Sequence, residues 1–249
     1  MFSVHDPRGR CIAFSGRRMG EDGAKYINSP ETPVFRKSDV LYNFHRARKH
    51  VSSSAQDIIV VEGQTDVISM CESGFCGTVS SLGTALTAKQ MSMLWSVSNS
   101  PIVCLDGDDA GLRASFKALD RALPLITPSK VLRFAILPSG EDPDSFILKN
   151  DELALMDVFR NFLSLCDMIW LKNSHLKDMS TPEARADFRD KIYEDTNLIK
   201  SFNLKYEIRK ELLSRFNERF SGKKVAWKRD KKEGPSDELM KIIYAQKTY

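Results

Sequence analysis

A chain of 249 residues with 42% hydrophobic and 28% charged side chains is long enough to bury one large or two modest cores, which excludes a disordered or fibrous protein. No apolar run approaches the roughly 20 residues a membrane helix needs, and the opening MFSVHDPRGR turns polar at once, so the expectation is a soluble, cytoplasmic protein with no membrane partner. The net charge of +4 is unevenly spread: residues 1–50 carry ten basic against five acidic side chains and residues 51–150 seven against eleven, a division suited to holding a polyanion in one place and cations in another.

Residues 3–15 read as strand, turn and strand, with Pro7-Arg8-Gly9-Arg10 as the turn. Gly16, Gly20 and Gly23 then punctuate a loop running to Pro30 and Pro33. The short apolar run 57–63, DIIVVEG, predicts a buried strand, followed by a helix from Thr65 to about Ser73. A second strand is expected over 78–82 and a helix over 87–98 with Thr87 as N-cap. A third strand at 101–105 precedes a helix over 110–123, where Leu112, Phe116, Leu119 and Leu123 recur at helical spacing. A fourth strand at 130–137 and a short helix from Asp144 complete the alternation, which predicts a parallel sheet covered by helices.

Beyond it the chain reads as helical. Residues 152–172 are rich in Leu, Met and Phe, and Thr181-Pro182 is a helix start. Leu204, Ile208, Leu212, Phe216 and Phe220 form one stripe of a last helix, which leaves Lys205, Arg209 and Arg219 in solvent. The expected architecture is α/β (α+β overall): a partly β unit at 1–50, a parallel-sheet domain at 51–150, a helical unit at 151–222 and a basic tail at 223–249. Cys11, Cys71, Cys76, Cys104 and Cys166 form no CxxC pair and read as buried reduced thiols, and the four histidines lack metal-ligand spacing.

In an open parallel sheet ligands gather beyond the carboxyl ends of the strands, which puts Glu62, Asp106 and Asp108 at one rim. Converging carboxylates repel one another unless a cation intervenes, and an all-oxygen set selects Mg²⁺ or Mn²⁺. Mg²⁺ bridges carboxylates to substrate phosphates, which points to phosphoryl or nucleotidyl transfer. Asp66, one helical turn after Glu62, and the cluster Glu141-Asp142-Pro143-Asp144 extend the same set. Taken singly, Asp-Gly-Asp-Asp-Ala-Gly is equally the pattern of a turn closed by a helix N-cap, and Glu-Asp-Pro-Asp that of a polar loop before a helix.

Glu62-Gly63-Gln64-Thr65-Asp66, Ser81-Leu82-Gly83-Thr84, Asp106-Gly107-Asp108-Asp109-Ala110-Gly111 and Glu141-Asp142-Pro143-Asp144, in this order, resemble the TOPRIM domain of primases, topoisomerases and some nucleases. Lys25-Tyr26-Ile27-Asn28-Ser29-Pro30-Glu31-Thr32, with Phe35-Arg36-Lys37 behind it, narrows the resemblance to bacterial DNA primases of the DnaG family. The resemblance implies synthesis of short RNA primers on single-stranded DNA, with nucleoside triphosphates as substrates and an RNA–DNA hybrid as product. It implies Glu62, Asp106 and Asp108 as catalytic and metal-holding acids, Asp66, Asp142 and Asp144 as further acids of the site, and Arg17, Lys25, Asn28 and Lys37 as contacts to nucleic acid or triphosphate.

Gln64 stands where the family usually carries an aromatic residue, which removes no metal ligand. The family's zinc-binding module and its helicase-binding domain have no counterpart here, so the chain is expected to be a piece of a longer protein, with zinc and the replicative helicase bound elsewhere. Alternatives remain: a topoisomerase or nuclease, a receiver-like phosphorylation module, or a fragment that binds metal and nucleic acid without turnover.

Overall fold

A computed structural model describes residues 1–18, 26–54, 56–150, 152–175 and 177–220. Strands β1 (Phe2–His5) and β2 (Cys11–Arg17) pair antiparallel around a turn in which Asp6 accepts from the amides of Arg8 and Arg10, both at 2.9 Å. Gly9 sits in that turn at φ +87, which a residue with a Cβ tolerates poorly. A third strand, β3 (Tyr26–Asn28), adds to the far end of β2 with Tyr26 opposite Arg17. Gly16 therefore belongs to a strand and not to the expected loop, because a partner edge recruits three residues too few to carry a pattern of their own. Gly20, Gly23 and Lys25 lie outside the described residues.

A short 3₁₀ turn, Lys37–Asp39, leads to α1 (Phe44–Ser53), a helix that buries Phe44 and Ala47 against the main core. The elements β4 (Ile59–Val61), α2 (Gln64–Glu72), β5 (Thr78–Ser80), α3 (Ala88–Trp95), β6 (Ile102–Leu105), α4 (Asp109–Ala122) and β7 (Arg133–Ile136) build a four-stranded parallel sheet in the order β5-β4-β6-β7. Thr87 caps α3 through its hydroxyl, as the sequence predicts. Successive strand side chains go to opposite faces, so Ile59, Val61, Cys104 and Ala135 enter one core while Val60, Val103 and Phe134 enter the other. Burial on both faces explains why the strands read as unbroken apolar runs.

Helices α2, α5 (Pro143–Lys149) and α6 (Glu152–Arg160) cover the first face through Val67, Met70, Phe146, Leu155 and Phe159. The second face carries α3, α4 and α7 (Leu165–Ser174), followed by α8 (Pro182–Asn197) and α9 (Phe202–Phe220). There the fully buried Phe188 meets Trp170 edge-on at 4.8 Å and stacks on Phe216 at 6.0 Å between ring centres. Of the three basic side chains expected in solvent on α9, Arg219 is exposed, whereas Arg209 is partly buried and donates to Thr196 at 2.9 Å and Asn197 at 2.8 Å. The cysteines also differ from expectation, since Cys104 is buried while Cys11 is exposed and the other three are partly so. Among the described residues no helix is long and apolar enough to cross a membrane.

Candidate active site

The carboxyl ends of β4 and β6 are neighbours in the sheet, and each is followed by a glycine and a helix start. Gly107 is there because nothing larger fits: a Cβ would stand 2.1 Å from the Pro138 carbonyl oxygen. Its amide donates to the Glu141 carbonyl at 2.8 Å, which stitches the turn before α4 to the turn before α5. Gly63 is hemmed in likewise, with a Cβ meeting the Tyr26 hydroxyl at 2.8 Å and Asp66 Oδ2 at 3.0 Å. These close approaches gather the acids of three separate segments.

Most of those acids also hold helix starts. Asp108 is the N-cap of α4 and accepts from the Gly111 amide at 2.7 Å, and Asp142 is the N-cap of α5 and accepts from the Ser145 amide at 2.6 Å. Asp66, buried in the first turn of α2, accepts from the Gly63 amide at 2.8 Å. Asp144 accepts from the Ser69 hydroxyl at 2.5 Å, a contact across 75 residues that no local pattern announces. For Asp66, Asp108 and Asp142, capping and a place at the rim are therefore true of the same residue.

Asp106 is different. Among the described residues it caps nothing; it is half-buried, and its Oδ1 is sealed from solvent without a hydrogen-bond partner there. Burial first, then Glu62, Asp66, Asp142 and Asp108, push its pKa up to about 7. Burial, with Asp106 and Asp66 behind it, also raises the neighbouring Cys104 thiol. A buried carboxylate oxygen beside four further carboxylates offers the all-oxygen chemistry that hard divalent cations prefer. Among the described residues no three such side chains stand close enough to hold an ion by themselves.

The basic and polar candidates divide. Arg17 donates to the Thr65 hydroxyl at 2.9 Å and lies 6.0 Å from the Tyr26 ring, so it stands at the first turn of α2, next to Glu62-Gly63. Asn28 donates to the Leu82 carbonyl at 3.2 Å, while its Oδ1 is buried without a partner. Lys37 is exposed on its 3₁₀ turn, and its carbonyl accepts from Gln90 at 3.1 Å. Lys25 is not among the described residues. Gln64 is buried and donates to the Ser15 hydroxyl at 3.3 Å, so this polar substitution ties the small sheet to the large one. The sequence reading did not single out Tyr26 or Ser69, which position Gly63 and Asp144 through contacts visible only in three dimensions.

Residues 1–48 match the family described as DNA primase catalytic core, N-terminal domain, and residues 59–147 match the Toprim-like family. The DNA primase of Escherichia coli K12 is 39% identical over 186 residues, covering 75% of this chain and 32% of the relative. The chain thus spans about a third of the length of the curated relatives it matches. A crystal structure of a DNA primase domain from Pseudomonas aeruginosa superposes with a TM-score of 0.79 at 36% identity, over 88% of this chain and 67% of that one. A DnaG primase catalytic domain bound to single-stranded DNA gives 0.76 at 36% identity, over 86% and 68%. With a primase-core match followed by a Toprim-like match, and 36% identity over two thirds of a solved primase domain, the chain belongs to the DnaG family of DNA primases.

Proposed function

We propose that the chain carries the nucleotidyl-transfer centre of a primase, which extends short RNA primers on a DNA template for replication in the cytoplasm. The observation that carries this reading is Asp106, a carboxylate with a buried, unpartnered oxygen held among four others at the end of a central strand. The names of its relatives support it, and one of them is a catalytic domain bound to single-stranded DNA.

In this reading Glu62, Asp106 and Asp108 would hold Mg²⁺, or Mn²⁺ in its place, one or two of them directly and the rest through waters, with Asp66, Asp142 and Asp144 lining the rim. The ion would neutralise charge on the α-phosphate of a nucleoside triphosphate as the primer 3′-hydroxyl attacks it and pyrophosphate leaves. Glu62, exposed at the rim as Asp108 is, would hold the ion or accept the proton of that hydroxyl. Arg17 presents a guanidinium fork and Lys37 a point charge to phosphates of template or triphosphate, with Asn28 and Lys25 as further contacts. The apolar walls behind Asp106 keep its environment poorly solvated, which strengthens every charge interaction at the rim.

The test is incorporation of labelled ribonucleotides onto an RNA primer annealed to a DNA template, with Mg²⁺ or Mn²⁺, for wild type and Asp106→Asn. Incorporation lost in the variant sustains the reading. Strand cleavage that needs metal but no nucleotide would replace it with nuclease chemistry.

A further inference from the structure

The first turns of α4 separate two clefts that open on the acid rim. One, of about 660 Å³, runs past Asp106 and Asp108 towards His175. The other, of about 450 Å³, lies between α4 and the loop after β5, with Glu62 at its mouth. Its size is that of a small-ligand site. Ser81, Gly83 and Thr84 form one wall, and Arg113 and Lys117 the other.

Arg113, Lys117 and Arg121 follow one another at four-residue spacing, so they line one face of α4. Arg121 is engaged in building the cleft: its guanidinium donates to the carbonyls of Ala85 at 2.7 Å and Leu86 at 3.1 Å, which holds the loop against the helix. Arg113 and Lys117 are exposed and have neither hydrogen bond nor ion pair to any described residue.

A second observation concerns the loop that forms the opposite wall. Ser80 Oγ, Thr84 Oγ1 and Asn28 Oδ1 are buried without a partner, and all three surround the loop of residues 80–84, where Asn28 also holds the Leu82 carbonyl. Folded proteins leave very few buried polar groups unsatisfied, and three around one loop mark a place completed by a polar ligand or by ordered water. Thr84 lines the cleft itself.

We propose that this cleft is a phosphate-binding subsite in which Arg113 and Lys117 neutralise the phosphates of a nucleotide and the Thr84 hydroxyl donates to one of their oxygens. The nucleotide identity of the ligand rests on the proposed nucleotidyl transfer, whereas the cationic wall and the unsatisfied hydroxyl stand without it. The phosphates have two sources, the polyphosphate of a free nucleoside triphosphate or the backbone of a strand leaving the rim.

The test is titration of the 249-residue chain and of its Arg113→Gln/Lys117→Gln variant with inorganic tripolyphosphate in EDTA and, separately, with a short single-stranded oligonucleotide. A loss of roughly tenfold in tripolyphosphate affinity, two exposed charge contacts' worth, assigns the cleft to free polyphosphate. A loss confined to the oligonucleotide, with a salt slope shallower by about 1.4, assigns the same cleft to a strand. Unchanged affinity for both probes overturns the proposal, since both substitutions are of exposed side chains that leave the fold intact. Thr84→Val supplies an independent arm, with a further loss expected of about two- to fivefold, the weight of one modest hydrogen bond. The ribonucleotide incorporation assay runs in parallel. Probe binding that depends on Arg113 and Lys117 without incorporation would leave the cleft standing and remove the reaction. Incorporation that depends on Asp106 while both probes ignore the two cations would do the reverse.

Discussion

The two ends of α4 put the same residue type to opposite uses. At its start Asp108 caps the helix beside Asp106, where every neighbouring charge acting on Asp106 is another carboxylate. In its last turn Asp120 shares the Lys172 ammonium with Asp195, which a further hydrogen bond from Asn173 at 2.7 Å holds in place. Burial pulls the Lys172 pKa down, but its bonds to Asp120 and Asp195 more than offset that and leave it raised. Arg215 does the same for Asp167 at 2.6 Å and Glu211 at 2.8 Å. In the helical region the charges are matched and tie α4, α7, α8 and α9 together. At the rim they are grouped, and the fold keeps them grouped at a cost in stability, the pattern of a site shaped for a ligand and not for the empty protein.

The comparison breaks most visibly if a matched charge is removed. Lys172→Met leaves Asp195, with its side chain 9% exposed, without its cation, and should cost about 3 kcal/mol of stability. Urea unfolding measures it, and an unchanged midpoint would mean that the network contributes nothing. Removing a grouped charge should act in the opposite direction on stability and strongly on function. Asp106→Asn should slow ribonucleotide incorporation by at least about 100-fold while leaving the metal-free protein as stable as wild type or more so. A destabilised variant would mean that Asp106 is a structural carboxylate.

The pH dependence sharpens the same contrast. In the folded protein burial and the surrounding carboxylates push the Asp106 pKa up to about 7, against 3.8 for an ordinary aspartate. Between those pH values the folded state binds more protons than the unfolded state, so metal-free stability should fall as pH rises through that window. Partial exposure screens the effect, and about 1–2 kcal/mol is expected between the two limits. Asp106→Asn should abolish this slope, and added Mn²⁺ should reverse it. A slope that persists in the variant would assign the titration to another group.

Much of this was legible in the sequence, for identifiable reasons. The four parallel strands are buried on both faces and so announce themselves as apolar runs, and Thr87 and Thr181 announce helix starts through cap chemistry. Helix α1 was not read, because it follows Asn43, a left-handed residue at φ 63 with no side-chain cap, and shows only Phe44, Ala47 and Val51 towards the core. That spacing of three and four residues was the signal available. Strand β3 carried none, since its pairing with β2 is its only reason to be extended. At the rim the acids could be named from strand ends, but not that Asp106, unlike Asp66, Asp108 and Asp142, holds no helix start and has a buried oxygen. That distinction depends on the Pro138 and Glu141 carbonyls closing over Gly107 from another strand.

The smallest effect separates the two roles of Asp108. Its carboxylate caps α4 through the Gly111 amide and also bears electrostatically on Asp106, so an alanine there confounds the two losses. Serine is as good an N-cap as aspartate, but carries no charge. Asp108→Ser should therefore keep stability within about 0.5 kcal/mol of wild type, the lost attraction to the helix dipole being offset by relief of repulsion at Asp106. Asp108→Ala should lose about 1 kcal/mol with the cap. If Asp108 belongs to the cation site, both variants should weaken Mn²⁺ binding to the same degree in calorimetry, despite their different stabilities. If Mn²⁺ affinity instead follows stability and survives in the serine variant, Asp108 is a cap alone, and the cation site contracts to Glu62 and Asp106.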